Sequence, residues 1–273
     1  MRTQRNTRLQ ARSARVGDAQ AFGIAIKTPE EREAMRRAGQ VVAWLLERLG
    51  KALEPGMRTR DLDALASQLI REAGARPAFL GYRGFPGVVC VSLNEEIVHG
   101  IPGERVIREG DLVKIDAGAI VDGFYADAAR TFAVGKVPAR VQALIEVTRA
   151  ALETGIRHAR PGAHIGDIGA AIQRYVEGRG YTVVREYVGH GIGRHLHEDP
   201  PVPNYGQPGE GPRLLPGMAI AIEPMVNMGT YWTRVLEDGW TVVTADGALS
   251  AHFEDTVVIT EEGQEVVTRL NGR

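Results

Sequence analysis

Cysteine is almost absent. Cys90 is the only one in the chain, which excludes an intramolecular disulfide and any cysteine-rich zinc site. No stretch is apolar for long enough to cross a membrane. The charged N-terminus has no apolar signal-peptide core, so a cytoplasmic location is expected by default. An excess of one charge is lacking too: the net charge of −1 argues against nucleic acid as the main partner. What remains is ordinary for a globular protein, 44% apolar and 25% charged residues. A length of 273 residues suits one large domain or two modest ones, with ample chain for a core.

Charge is uneven only at the start. Arg2, Arg5, Arg8, Arg12 and Arg15 precede the first acid, Asp18, with no periodic apolar stripe among them. Residues 1–24 therefore read as a disordered tail. An anchor for a polyanion such as ribosomal RNA is the functional alternative.

Ordered chain is expected from about residue 25. Thr28-Pro29-Glu30-Glu31 fits a capping box with proline at the first helical position, and predicts a helix to about Leu53. Met35, Val42, Leu45, Leu46 and Leu49 fall on its buried side. Pro55-Gly56 breaks it. A second helix runs from about Thr59 to Ala73, stopping at Gly74, and a strand follows over Val88–Leu93. Further helices are expected over about Ala139–His158 and Ile165–Glu177. The stretches from Glu54 and from Arg160 match at one constant offset: Pro55 with Pro161, Asp61 with Asp167, Ala64 with Ala170, Gly74 with Gly180. Strands follow both times, which suggests a duplicated half.

The most informative stretch is Leu112–Phe132. Asp122-Gly123 between alternating apolar runs signals a two-residue hairpin, because a type I′ turn needs positive φ at both central residues. Val121 then faces Phe124, and Asp127 faces Gly118. Asp116 and Asp127 become diagonal neighbours on one face, roughly 7–8 Å apart at Cα. Two carboxylates aimed into one space repel unless a proton or cation lies between them, and metals about 3.5–4 Å apart would fit. Two solvated aspartates are the bland alternative. The flanking Ile115, Ala117, Ala119, Ala126 and Ala128 look buried and speak against it.

A duplicated half should supply more acids. Met218–Met225 reads as a buried strand ending at Glu223-Pro224, and His252–Thr260 as a second one carrying Glu254. An acid at the end of so apolar a strand is costly unless paired or metal-bound. Ahead of them, His190 lies between Gly189 and Gly191, where backbone can approach a ligand closely. One imidazole and four carboxylates form a hard, oxygen-rich set. It suits Mn, Fe, Co or Zn in a paired site better than a structural zinc. Such a pair would activate water and polarise a carbonyl, which points to hydrolysis.

The chain here resembles a known family. KIDAGAIVDGFYADAARTF, YVGHGIGRHLHEDP, IAIEPM and HFEDTVVIT look like the four metal-binding blocks of type I methionine aminopeptidases, and NEEIVHGIP around His99 is similar to a fifth. The resemblance implies an α+β "pita-bread" fold with an antiparallel sheet and outer helices. Its two pseudo-symmetric halves would span about 25–135 and 136–273 of a single catalytic domain. It implies two divalent ions held by Asp116, Asp127, His190, Glu223 and Glu254, with Asp127 and Glu254 bridging. His99 would contact the scissile amide nitrogen and His197 its carbonyl oxygen, while Glu223 shuttles a proton. His195 and His252 match no role and are expected to be structural or exposed.

Substrate-wall positions transfer to Phe79, Tyr82, Phe85, Cys90 and Trp240. Phe79 and Phe85 depart from many relatives, which bears on pocket width. Asn94 and Ser250 match positions that bind a monovalent cation in some relatives. The implied partners are the N-termini of nascent polypeptides, with ribosome contact through the tail, and the chain is expected to act as a monomer. Prolidases and aminopeptidase P share all five ligands but usually carry an extra N-terminal domain, whereas only the short tail precedes Thr28. Non-catalytic modules on this fold typically lose ligands, and none is lost here.

Overall fold

In the computed structural model, which describes residues 22–270, the first helix begins where its cap is written. Helix α1 (Pro29–Ala52) opens with the Glu31 N–H donating to the Thr28 hydroxyl at 3.2 Å, and the Thr28 N–H donating to the Glu31 carboxylate at 2.9 Å. Met35, Val42, Leu45, Leu46 and Leu49 are all buried. Each such side chain taken out of water contributes about 1.5–3 kcal/mol. The arginine-rich stretch lies outside the described residues except for its last three positions. Among the described residues, no helix is long and apolar enough to cross a membrane.

The chain continues through α2 (Thr59–Glu72), β1 (Arg76–Pro77), β2 (Val89–Leu93), β3 (Glu96–Val98) and the hairpin β4 (Leu112–Val121) and β5 (Phe124–Ala133). Helices α3 (Ala139–His158) and α4 (Ile165–Glu177) follow, then β6 (Thr182–Val183), β7 (Gly189–Gly191), β8 (Glu198–Val202), β9 (Ala219–Ile222) and β10 (Met225–Asn227). Strands β11 (Thr233–Val235), β12 (Val242–Thr244), β13 (Ser250–His252), β14 (Glu254–Ile259) and β15 (Gln264–Val266) complete it.

The hairpin has the predicted register. Val121 pairs with Phe124, Gly118 with Asp127 and Asp116 with Ala129. Both turn residues have positive φ, 50° at Asp122 and 79° at Gly123. The duplication is visible in local geometry. The Arg58 N–H donates to the Asp61 carboxylate at 2.7 Å, and the His164 N–H donates to Asp167 at 2.7 Å. Gly56 and Gly162 sit at φ 96° and 91°, and their N–H groups donate to Ile107 and Leu214 carbonyls, each at 2.8 Å.

One main sheet runs β1-β4-β5-β14-β9-β7-β8, with β2 beside β4 and β15 beside β14. The β5–β14 pairing joins the repeats, with Glu254 opposite Ala129 and Asp255 opposite Ala128. On one side of the hairpin, Ile115, Ala117, Ala119, Ala126 and Ala128 pack into a core with α1 and α2. Alternation sends Asp116 and Asp127 to the other side.

Two expected strands are interrupted. The Met218–Met225 run splits into β9 and β10, because Pro224 has no N–H for the ladder. The His252–Thr260 run splits into β13 and β14 around Phe253, whose N–H turns to the Pro224 carbonyl at 3.3 Å. Glu223 therefore lies in a gap of the sheet, not within a strand.

Candidate functional site

Each acid reaches the site through the break or pleat that carries it. Asp116 and Asp127 come from the inner face of the hairpin, Glu223 from the gap before Pro224, and Glu254 from the first residue of β14. All four line one cavity of about 290 Å³ with His190. Asp127 is 3% exposed and Glu254 2%, while Asp116 and Glu223 are half-buried.

His190 is aimed by its backbone. Its Nδ1 lies 2.9 Å from the Gly191 carbonyl, which can only accept, so Nδ1 carries the hydrogen and Nε2 is free to face the acids. Nε2 is 3.4 Å from Asp127 Oδ2 and 3.7 Å from Glu223 Oε1. The flanking glycines serve neighbouring strands more than a ligand. A Cβ on Gly189 would meet the Ala221 carbonyl, and one on Gly191 the Asp199 carbonyl.

The electrostatics are those of crowded like charges. Burial holds Asp116 and Glu254 well above the usual carboxylate range, and repulsion from Asp127 and Glu223 raises both further, with Asp116 adding to Glu254. Burial pushes Glu223 to about 8; His190 opposes this and Asp127 adds to it. Burial alone would lower His190, but the charge and hydrogen bond of Asp127, with Glu223, carry it up to about 9. Asp116 Oδ1 is buried with no hydrogen-bond partner among the described residues. Such an orphaned oxygen among repelling acids calls for a cation. Two triads have ligand atoms all within 4.8 Å of one another: Asp127, His190 and Glu254, and Glu223, His252 and Glu254.

His252 was expected to be structural or exposed. It is 1% exposed, with both ring nitrogens unpartnered among the described residues. Its Nε2 lies 3.7 Å from Glu223 Oε2 and 3.9 Å from Glu254 Oε2. Burial lowers it to about 3, so the ring is neutral. Alternation within one strand does not place it there, because β13 ends at His252 and β14 begins at Glu254. His195 is exposed, as expected.

The remaining predicted residues line the same cavity: His99, His197, Phe79, Tyr82, Phe85, Cys90 and Trp240. Phe85 meets Trp240 edge-on at 5.1 Å between centroids. Burial pushes the Cys90 thiol up, so it acts as an apolar wall. His99 has φ 61°, a strained setting for a non-glycine residue, and its ring stands edge-on to Tyr187 and Trp240. Burial lowers it to about 4. His197 lies at the exposed mouth, its Nδ1 2.7 Å from the Tyr82 hydroxyl and its ring 4.2 Å from that of His190. Arg83 and Tyr187 also line the cavity and carried no sequence signal.

At Asn94 and Ser250, the positions expected to lie near a monovalent cation, the main-chain carbonyls accept from a lysine. Lys114 Nζ donates to the Asn94 carbonyl at 2.7 Å and to the Ser250 carbonyl at 3.2 Å.

Comparison with known proteins agrees along nearly the whole described chain. Residues 33–261 match the model of metallopeptidase family M24. The chain is 51% identical over 247 residues to methionine aminopeptidase 1 of Bacillus subtilis, covering 90% of this chain and 100% of that one. It is 51% identical over 246 residues to the methionine aminopeptidase of Clostridium acetobutylicum, covering 90% and 98%. The crystal structure of a Thermotoga maritima methionine aminopeptidase superposes with a TM-score of 0.89 at 48% identity, covering 90% of this chain and 100% of that chain. A Pyrococcus furiosus prolidase gives 0.73 at 26% identity, and only 66% of that chain is covered.

Proposed function

The chain belongs to metallopeptidase family M24, grouped with its methionine aminopeptidases, and from that premise we propose that it removes the N-terminal methionine of nascent polypeptides when the next residue is small. It is a hydrolase of the pita-bread fold. The observation that carries the specific reading is one cavity where four buried or half-buried acids meet His190 on one side and an apolar slot on the other.

The donor set fits a pair of divalent ions. Five groups supply carboxylate oxygens and one imidazole nitrogen, and the orphaned Asp116 Oδ1 lacks any protein donor among the described residues. Asp116, Asp127, His190, Glu223 and Glu254 would hold two ions of Co, Mn, Fe or Zn. When bound, these would polarise the scissile carbonyl and activate water.

The chain's own residues do the rest. Glu223, in the gap of the sheet, takes the proton of the attacking water and passes it to the leaving amine. Neutral His99 contacts the scissile amide nitrogen. His197 accepts at Nδ1 from the Tyr82 hydroxyl, which leaves its Nε2–H to donate to the carbonyl oxygen. Phe79, Tyr82, Phe85, Cys90 and Trp240 close around the methionine side chain, worth on the order of 2–3 kcal/mol, and exclude charged ones. The enzyme works as a cytoplasmic monomer, and the arginine-rich segment meets the ribosome.

Met-Ala, Met-Leu, Leu-Ala and Ala-Pro peptides, free and N-acetylated, test this with each divalent ion in turn. Met-Ala should be cleaved fastest and Leu-Ala roughly 10–200-fold more slowly, and acetylated peptides should be inert. Faster cleavage of Ala-Pro would move the assignment to the proline-directed relatives.

A further inference from the structure

Lys114 is a large side chain buried to 1% exposure, on β4 two residues before Asp116. Burying an ammonium is expensive unless its donors are satisfied. Here the acceptors are main-chain carbonyls, not an acid. Asn94 belongs to the first repeat, in the turn between β2 and β3, and Ser250 to the second, at the start of β13. Among the described residues no carboxylate oxygen forms an ion pair with Nζ. Glu96, an acid in the same region, is committed to the Leu93 N–H at 2.6 Å and to Arg105.

The carbonyls are held for this task. Asn94 sits at φ 52° with its N–H on the Leu112 carbonyl at 2.9 Å. Its side chain accepts from the Leu112 N–H and donates to Asp111, both at 2.9 Å. The Ser250 N–H donates back to the Asn94 carbonyl at 3.1 Å. A rigid set of backbone carbonyls around one positive charge is how proteins replace the hydration shell of an alkali cation.

We propose that Lys114 is a tethered monovalent cation: its ammonium fills a carbonyl site that Na⁺ or K⁺ would otherwise take, and so fastens the Asp116 strand to the strand leading into Glu254. The fastening stands on its own geometry. Its role as a positioning residue for Asp116 and Glu254 rests on the metallopeptidase reading above.

The test uses the full chain and Lys114→Ser and Lys114→Met, in choline, Na⁺ or K⁺ chloride at matched ionic strength. Melting is followed near pH 6, well below the ordinary lysine range. The unaltered protein should melt at the same temperature in all three salts. Lys114→Ser should lose roughly 5–10 °C in choline and regain most of it in Na⁺ or K⁺. Its affinity for Mn²⁺, measured by titration calorimetry, should fall about 10-fold in choline and recover likewise. Lys114→Met, whose stem blocks the site without a charge, should stay low in every salt.

Equal loss by Lys114→Ser in all salts, including failure to fold in any, would reduce Lys114 to a space-filler. A Lys114→Met protein as stable as the original overturns the proposal, as does a melting point of the original that rises with Na⁺ or K⁺. Salt-rescued melting with unaltered Mn²⁺ affinity keeps the fastening and removes the positioning role.

Discussion

Glu254 and Asp255 are neighbours on β14, point to opposite faces, and meet the cost of burial in opposite ways. Asp255 is wholly buried behind the sheet, yet its carboxylate takes Arg130 at 2.6 Å, Arg269 at 2.7 and 3.0 Å, and the Thr268 hydroxyl at 2.8 Å. Arg269 reaches on to Glu153 at 2.5 Å. Glu254 faces the cavity, where the imidazoles of His252, at 3.9 Å, and His190 stand beside it and its other neighbours are acids. Burial is equal; the partners differ. A buried acid clasped by arginines belongs to the fold, and one left among other acids belongs to a cation.

The sharpest way to break that contrast exchanges the charges one at a time. Asp127→Asn should cost orders of magnitude in turnover and loosen both divalent ions, because it removes one of a few ligands. The chelated variant should lose little stability, since its relief of the repulsion on Asp116 and Glu254 offsets the lost pull on His190. Asp255→Asn should do the reverse: ion stoichiometry intact, and stability lower by about 3 kcal/mol as two arginines lose their shared partner. Urea melts and metal analysis of both variants decide it. Loss of ions on changing Asp255, or unchanged turnover on changing Asp127, would erase the distinction.

A smaller effect separates residues that would hold ions from those that would hold substrate. His99→Ala and His197→Ala should keep the full complement of ions while turnover drops roughly 10²-fold, about 2.7 kcal/mol of transition-state stabilisation each. If either variant loses an ion, that histidine belongs with His190.

Legibility in the sequence followed the range of the physics involved. The hairpin register was readable because Asp122-Gly123 dictates the turn, and a two-residue loop fixes every later pair. The helices of both repeats were readable from local caps, Thr28 with Glu31 above all. The ends of the second-half strands were not. Pro224 signalled a break, but whether the chain resumes as strand depends on β10 meeting β13 and β6 from elsewhere in the chain. The placement of His252 hangs on that same break. Arg83 and Tyr187 come to the cavity through loops whose course no periodicity encodes. Lys114 reads as an ordinary strand residue until Ser250, far along the chain, supplies its second carbonyl.

The finest test of unpaired against paired acids is the response of the chelated protein to pH. Burial raises Glu223 from its ordinary 4.5 to about 8, and the net pull of Asp127 and Glu223 raises His190 from 6.5 to about 9. Between about pH 4.5 and 8 the folded chain keeps a proton on Glu223 that the unfolded chain gives up, and between 6.5 and 9 it does the same on His190. The folded state binds more protons throughout, so this contribution to stability is complete below the unfolded values and is lost as pH rises through the folded ones. The slope is on the order of 1 kcal/mol per pH unit for each extra proton. Asp116 and Glu254, raised by the same burial, act with the same sign. Urea melts in a chelator should therefore show stability declining from about pH 5 to pH 9. With Mn²⁺ present the decline should flatten or reverse, because the ions bind the deprotonated groups and compete with protons. A chelated protein whose stability is level across that window would mean that the four acids are as well partnered as Asp255.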